Sequence, residues 1–308
     1  MRRSGAFILA VLLVLWITPA LFAGDSSGAA TAQPAATASA GTDTAGASSS
    51  NSTKSEESTK APAKPEGVFS INQVEVFYTA KAKPDPVYGY GSSSKDLLTF
   101  QFEHFSFHSF GDIYVDAEVY QGRNVGTPFS TNNNWQSLLV LNPNFSMGKI
   151  TKKKWALGPI SDVTIVARFE RESYPDTQHF YTRNFGPSLN FKVPGFVWFE
   201  SGLLARWDNI NRKNTYLWRS VLLSSPWKIA GEKFHYNLLS LINGSATNHT
   251  VIFERSDFLW EVPKYPRLQL GMRVEVENYS NDPWAATEGF PNQRYKRVMP
   301  EAMIKYIF

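Results

Sequence analysis

PEAMIKYIF, residues 300–308, closes the chain and decides how the rest of it reads. Ala302, Ile304, Tyr306 and Phe308 fall on one side of an extended segment and Glu301, Met303 and Lys305 on the other, because successive strand side chains point to opposite faces. The stretch has one apolar face and one wet face, and it stops on an aromatic carboxyl-terminal residue. As the edge of a soluble sheet it would be an open, adhesive template. As the last strand of a closed barrel it has no free edge, and its apolar face meets lipid. The plainer alternative is a last strand that happens to end in Phe.

The same alternation recurs upstream. In DIYVDAEVY (112–120), Ile113, Val115, Ala117 and Val119 oppose Tyr114, Asp116, Glu118 and Tyr120. VTIVARFE (163–170) and LQLGMRVEVE (268–277) repeat it. No segment after residue 67 carries a helical period or an apolar run long enough for a helical span. Strands are expected at 69–79, 96–107, 112–121, 136–146, 162–172, 180–192, 196–206, 214–224, 233–243, 249–260, 267–277 and 299–308. The eighth to tenth expected strands are the least regular, with alternation poorest in 216–224 and 249–260. The connections Phe107–Asp112, Val193–Phe196 and Pro263–Arg267 are tight, whereas Lys81–Lys95, Gly122–Trp135 and Asn278–Arg297 are long. Short turns on one side and long loops on the other belong to an outer-membrane barrel with its short side in the periplasm. The fold expected is all-β, an antiparallel up-and-down transmembrane β-barrel of about twelve strands over residues 68–308.

Composition fits. The chain has 308 residues, 14% of them aromatic, under a negative mean hydropathy, as short strands with interfacial aromatic girdles require. It has no Cys, which excludes disulfides, thiolate metal sites and a thiol nucleophile. Its net charge of +4 is too dispersed for a nucleic-acid footprint, so no nucleic-acid partner is expected. Residues 1–23 read as a signal peptide: Arg2 and Arg3, an apolar core from Ala6 to Ile17, and a cleavage point after Ala23, with Leu21 larger than usual at the third position before it. An uncleaved anchor is the rival, with an apolar stretch near the short limit for a span. Residues 24–67, rich in Ala, Ser, Thr and Gly, hold no aromatic residue and read as a disordered low-complexity linker.

The residues with chemical interest lie on the wet face. Glu103, Asp116, Glu118, Arg168, Glu170, Glu200, Arg206, Arg273 and Glu275, with Tyr114 and Tyr120, are expected to project into a lumen. The plainer reading of any one of them is a salt bridge filling a small barrel. Catalysis is not expected. There is no Gly-x-Ser-x-Gly, and His235, Asn237 and Ser240 form the only loose arrangement suited to a barrel lipase. His104 and His108 share a face but stand ~13 Å apart, too far to hold one metal ion, and no metal or cofactor is expected. Trp135, Trp155, Trp207, Trp227, Trp260 and Trp284 read as interfacial girdle.

LLTFQFEHFSFHSFGDIYVDAEVYQG (97–122) and NPNFSMGKITKK followed by LGPISDVTIVARFE (142–170), with the aromatic-terminated last strand, resemble the nucleoside-specific outer-membrane channel (Tsx-like) family. The likeness is clearest over 97–170. The family's early Phe-Gly-Pro segment is not recognisable between Val76 and Gly91, and the Ala/Ser linker is foreign to it. The resemblance implies a monomeric twelve-stranded barrel in the outer membrane of a Gram-negative bacterium, passing small polar solutes, nucleosides foremost. Phe102 and Glu103, with Asp116 and Glu118, are the lumen residues it carries over. Outer-membrane lipid and the outer-membrane assembly machinery are then the expected partners. The alternative is a plugged barrel acting as an interaction surface.

Overall fold

The computed structural model describes residues 69–83, 91–126, 133–173, 179–209, 214–245, 249–279 and 295–308. Residues 1–67, expected to be a signal peptide and a linker, and Trp284 lie outside these described residues. The strands are β1 (Phe69–Thr79), β2 (Leu97–His108), β3 (Gly111–Gly122), β4 (Trp135–Ser146), β5 (Ile160–Ser173), β6 (His179–Phe191), β7 (Phe196–Asp208), β8 (Asn214–Ser224), β9 (Trp227–Ile229), β10 (Glu232–Ser245), β11 (His249–Glu261), β12 (Leu268–Tyr279) and β13 (Tyr295–Ile307). Each expected strand is present, its bounds moved by a few residues. Two elements have no counterpart in the alternation. β9 is a short arm paired only with β10, and α1 (Met147–Thr151) follows β4.

Every neighbouring pair is antiparallel, and the sheet closes on itself. β1 pairs with β2 on one side and with β13 on the other, from Gln73↔Ile307 to Tyr78↔Ala302, while β10 bridges β8 and β11. Twelve strands therefore form the ring, with β9 outside it. Closure removes the edge that β13 would otherwise present. The alternation turns Phe100, Phe102, Val119, Leu139, Leu141, Phe169, Met272 and Ile304 outward and exposed, the pattern of a barrel that sits in lipid.

Both described chain ends lie at one end of the barrel, with the tight turns after β2, β6 and β11. The strand ends that the long connections 80–96, 123–134 and 280–294 join lie at the other. The asymmetry is not complete. At the loop end strand ends are also joined by the short links 174–178, 209–213 and 246–248, and the terminal end carries the long connection 147–159. There, Ser146 caps α1 by accepting from Lys149 N at 3.0 Å, and Asp162 accepts from Gly148 N at 3.0 Å and from Ser146 Oγ.

Aromatic side chains gather near both ends. Trp135, Trp207 and Tyr181 lie toward the loop end, where Arg183 sits over both rings of the Tyr181–Trp207 pair. Trp155, Trp227 and Trp260 lie toward the terminal end.

Candidate functional site

The lumen is filled rather than open. One wall, from β11 through β12, β13, β1 and β2 to β3, is lined with ionisable and amide side chains. Arg273 is its hub. Its Nε and Nη2 donate to Asp257 at 2.6 and 3.1 Å, Nη2 reaches Glu75 at 3.2 Å and Nη1 donates to Gln101 at 2.9 Å. Its guanidinium lies 3.9 Å from the Phe77 ring centroid. Lys305 reaches Glu75 at 2.8 Å, and Arg297 pairs with Glu277. The register explains the pairing. Arg255 stands opposite Glu275, and Asp257 opposite Arg273, so the two signs form a checkerboard on facing strands.

An ion pair crosses the lumen. Arg255 Nη1 on β11 donates to Glu118 Oε1 on β3 at 2.9 Å, while its Nη2 reaches Glu275 at 2.6 Å. β11 and β3 are five strand steps apart around the wall, about 24 Å along the sheet at ~4.8 Å per strand. Two side chains can bridge that arc only if the interior between the walls is narrow. Glu103, Asp116, Glu118, Arg168, Glu200 and Arg273 are each at most 1% exposed. A water-wide passage alongside them would leave them accessible.

The opposite wall interleaves isolated ion pairs with apolar packing. Val166, Leu204, Leu217, Val221, Leu239, Leu241 and Phe253 form a buried apolar cluster inside the barrel. Near the loop end a second cluster joins Leu97, Tyr120, Leu138, Val140, Phe180 and Met299 to Ala82 and Val125, which the connecting segments turn inward. At the terminal end the interior opens into a cavity of about 290 Å³, whose lining includes Asp112, Lys149, Asp162, Thr164, Asn190 and Trp198.

Of the residues expected in the lumen, Glu103, Tyr114, Asp116, Glu118, Tyr120, Arg273 and Glu275 meet in the ion-pair layer. Tyr114 donates to Glu103 at 2.5 Å, and Tyr120 donates to Glu118. Arg168 with Glu170, Glu200 with Arg219, and Arg206 with Asp208 are also buried but form separate pairs on β5, β7 and β8. Phe102 corrects the expectation. It is 41% exposed on the outer face, because it precedes Glu103 on the same strand and adjacent residues cannot share a face. The His235, Asn237 and Ser240 arrangement also separates. His235 and Asn237 are buried inward, His235 lying 3.4 Å from Glu261, whereas Ser240 has the opposite parity on β10. Sequence reasoning missed Arg255, Asp257, Glu75 and Gln101. The readable signal was the opposite-sign pair at i and i+2 in Arg255–Asp257, matched by Arg273–Glu275 on the next strand.

Carboxylates outnumber cations on the charged wall. Glu75, Glu103, Asp116, Glu118, Asp257, Glu275, Glu277 and Glu301 face Arg255, Arg273, Arg297 and Lys305. Glu103 is held by the neutral donors Gln73, Gln101 and Tyr114. Asp116 accepts from Gln101 at 2.9 Å through Oδ1, and its buried Oδ2 has no donor. No family model matches the chain, and neither does any curated protein.

Proposed function

We propose that this protein is an outer-membrane channel of a Gram-negative bacterium that passes small polar solutes through a narrow lumen closed at rest. Its terminal end then faces the periplasm. Nucleosides are the solute class that the resemblance of 97–170 suggests.

The observation that carries the reading is the surplus of carboxylates in the ion-pair layer. Buried charge is costly unless matched, so a lumen filled only for stability would balance its signs. Glu103 is instead matched by neutral donors, and Asp116 Oδ2 has no donor among the described residues. A solute bearing hydroxyl and amino groups can replace Gln73, Gln101 and Tyr114 as donor, and Tyr114 and Tyr120 offer faces on which a flat ring stacks. The Arg255–Glu118 contact must part to let the solute by. Sites that bind and release by exchanging hydrogen bonds conduct as long as no single site holds too tightly.

The test is uptake of labelled uridine and of labelled sucrose into proteoliposomes holding the full-length protein. Uridine entry that exceeds sucrose entry and falls severalfold in Glu103→Gln supports the proposal. Entry no faster than in protein-free vesicles sinks it.

A second reading, a plugged barrel that does not conduct and serves as a surface for a partner, is favoured by Ala82 and Val125. Both are fully buried at the loop end. It gains if neither solute enters and the barrel is folded.

A further inference from the structure

The four longer connections at the terminal end share a composition that the loop end lacks. Residues 147–159 carry Lys149 and the run Lys152, Lys153 and Lys154; residues 192–195 carry Lys192; residues 225–231 carry Lys228; residues 262–267 carry Lys264 and Arg267. None of the four contains Asp or Glu. The loop end mixes signs: residues 80–96 include Asp85 and Asp96, residues 174–178 include Asp176, and residues 280–294 include Asp282 and Glu288.

These basic side chains are exposed, Lys149 donating to the carbonyls of His108 and Gly111. Among the described residues none of them makes an ion pair. Each connection also bears an exposed apolar residue in or beside it: Leu157 and Trp155, Val197, Ile229, and Tyr265. Lys264 lies over the Tyr265 ring at 5.5 Å. An apolar body beside an unmatched ammonium, repeated around one end of a barrel, fits a surface where acyl chains meet phosphates. A solvated rim would need the charges but not the apolar partners.

We infer that this rim is a binding belt for anionic phospholipid headgroups of the leaflet at the terminal end. The occupant is a phosphodiester lipid, with Lys152, Lys153 and Lys154 as the densest contact and Trp155 and Leu157 inserted beside it.

The experiment measures lipid retained by the purified full-length barrel in micelles, offered phosphatidylglycerol and phosphatidylcholine together, by native mass spectrometry. One variant combines Lys152→Gln, Lys153→Gln and Lys154→Gln; a control combines Lys81→Gln and Lys83→Gln at the loop end. Heat-modifiable migration on gels checks that each is folded. The wild type should prefer phosphatidylglycerol at low salt, and the preference should fall by up to about fivefold per lysine removed at the rim, as ~1 kcal/mol per basic residue near an anionic surface implies. It should also fall with added salt and persist in the loop-end control. Equal retention of the two lipids overturns the proposal, as does a rim variant that keeps the full preference. Displacement by millimolar inorganic phosphate would reveal a free-phosphate site instead. A stronger preference for lipid A would assign the rim to the other leaflet, and either result contradicts the inference.

Discussion

Arg273 concentrates the energetics of the charged wall in one side chain. It donates to Asp257, Glu75 and Gln101 and lies against Phe77. Removing one partner of a buried ion pair strands the other and costs about 3–5 kcal/mol. Arg273→Met, which keeps the bulk, should lower the unfolding free energy by that much, read by tryptophan fluorescence during urea unfolding in micelles. A loss below about 1 kcal/mol would mean that Asp257 and Glu75 are not held by this guanidinium. Phe102 and Glu103 form the sharpest contrast at this scale. Phe102→Leu should leave solute passage unchanged, whereas Phe102→Arg places a charge against lipid, worth about 2–4 kcal/mol near the midplane, and should slow folding into vesicles. If Phe102→Leu altered uridine entry as much as Glu103→Gln, the assignment of faces on β2 would be wrong. The alternation already places these two residues on opposite faces, so the outward position of Phe102 was legible. A likeness that groups adjacent residues does not carry that parity.

β13 is the element on which closure depends, and its two faces separate two kinds of effect. Ile304 and Phe308 are exposed on the outer face, while Glu301, Met303 and Lys305 are buried inside. Ile304→Asp should block insertion, because it puts a carboxylate in the apolar band beside the seam with β1. Lys305→Met should yield folded barrels, since Glu75 keeps Arg273, and should shift solute entry instead. Heat-modifiable migration on gels distinguishes the two; equal loss of folded protein in both variants would contradict the account. Gly111, at the start of β3, marks a close approach. A Cβ there would stand 1.8 Å from the Asn144 carbonyl oxygen, so Gly111→Ala should loosen the β3–β4 pairing and speed hydrogen exchange at that end of β4. The strands themselves were legible wherever one face is wet and the other apolar. β8, β10 and β11 read poorly for a physical reason. Leu217, Val221, Leu239 and Phe253 face inward into an apolar cluster while their neighbours face lipid, so both faces are apolar and the period of two fades. α1 was hidden too, because its cap depends on Asp162, beyond the end of the helix.

At the scale of the whole molecule, the Arg255–Glu118 contact joins residues 137 positions apart and walls five strand steps apart. No local pattern encodes it, because it depends on how far the barrel is narrowed, a property of all twelve strands together. The sequence could say that both signs face inward and pair, not which partners meet across the lumen. The contact makes the lumen a layered closure, with a connected ion-pair network on one wall, apolar packing between separate ion pairs on the other and a further apolar cluster under the loop end. An open pore would have left these side chains accessible. For the proposed channel, the ion-pair layer is then the barrier to passage. The most direct test is single-channel conductance in planar bilayers for the wild type and for a variant combining Arg255→Ala and Glu118→Ala, which removes both members of the contact and leaves Glu275 with Arg297 at 3.9 Å. The account predicts rare, small openings for the wild type, reduced further by added uridine, and a several-fold higher open fraction for the variant. A folded variant as silent as the wild type, or a wild type with a steady large conductance indifferent to uridine, would contradict it.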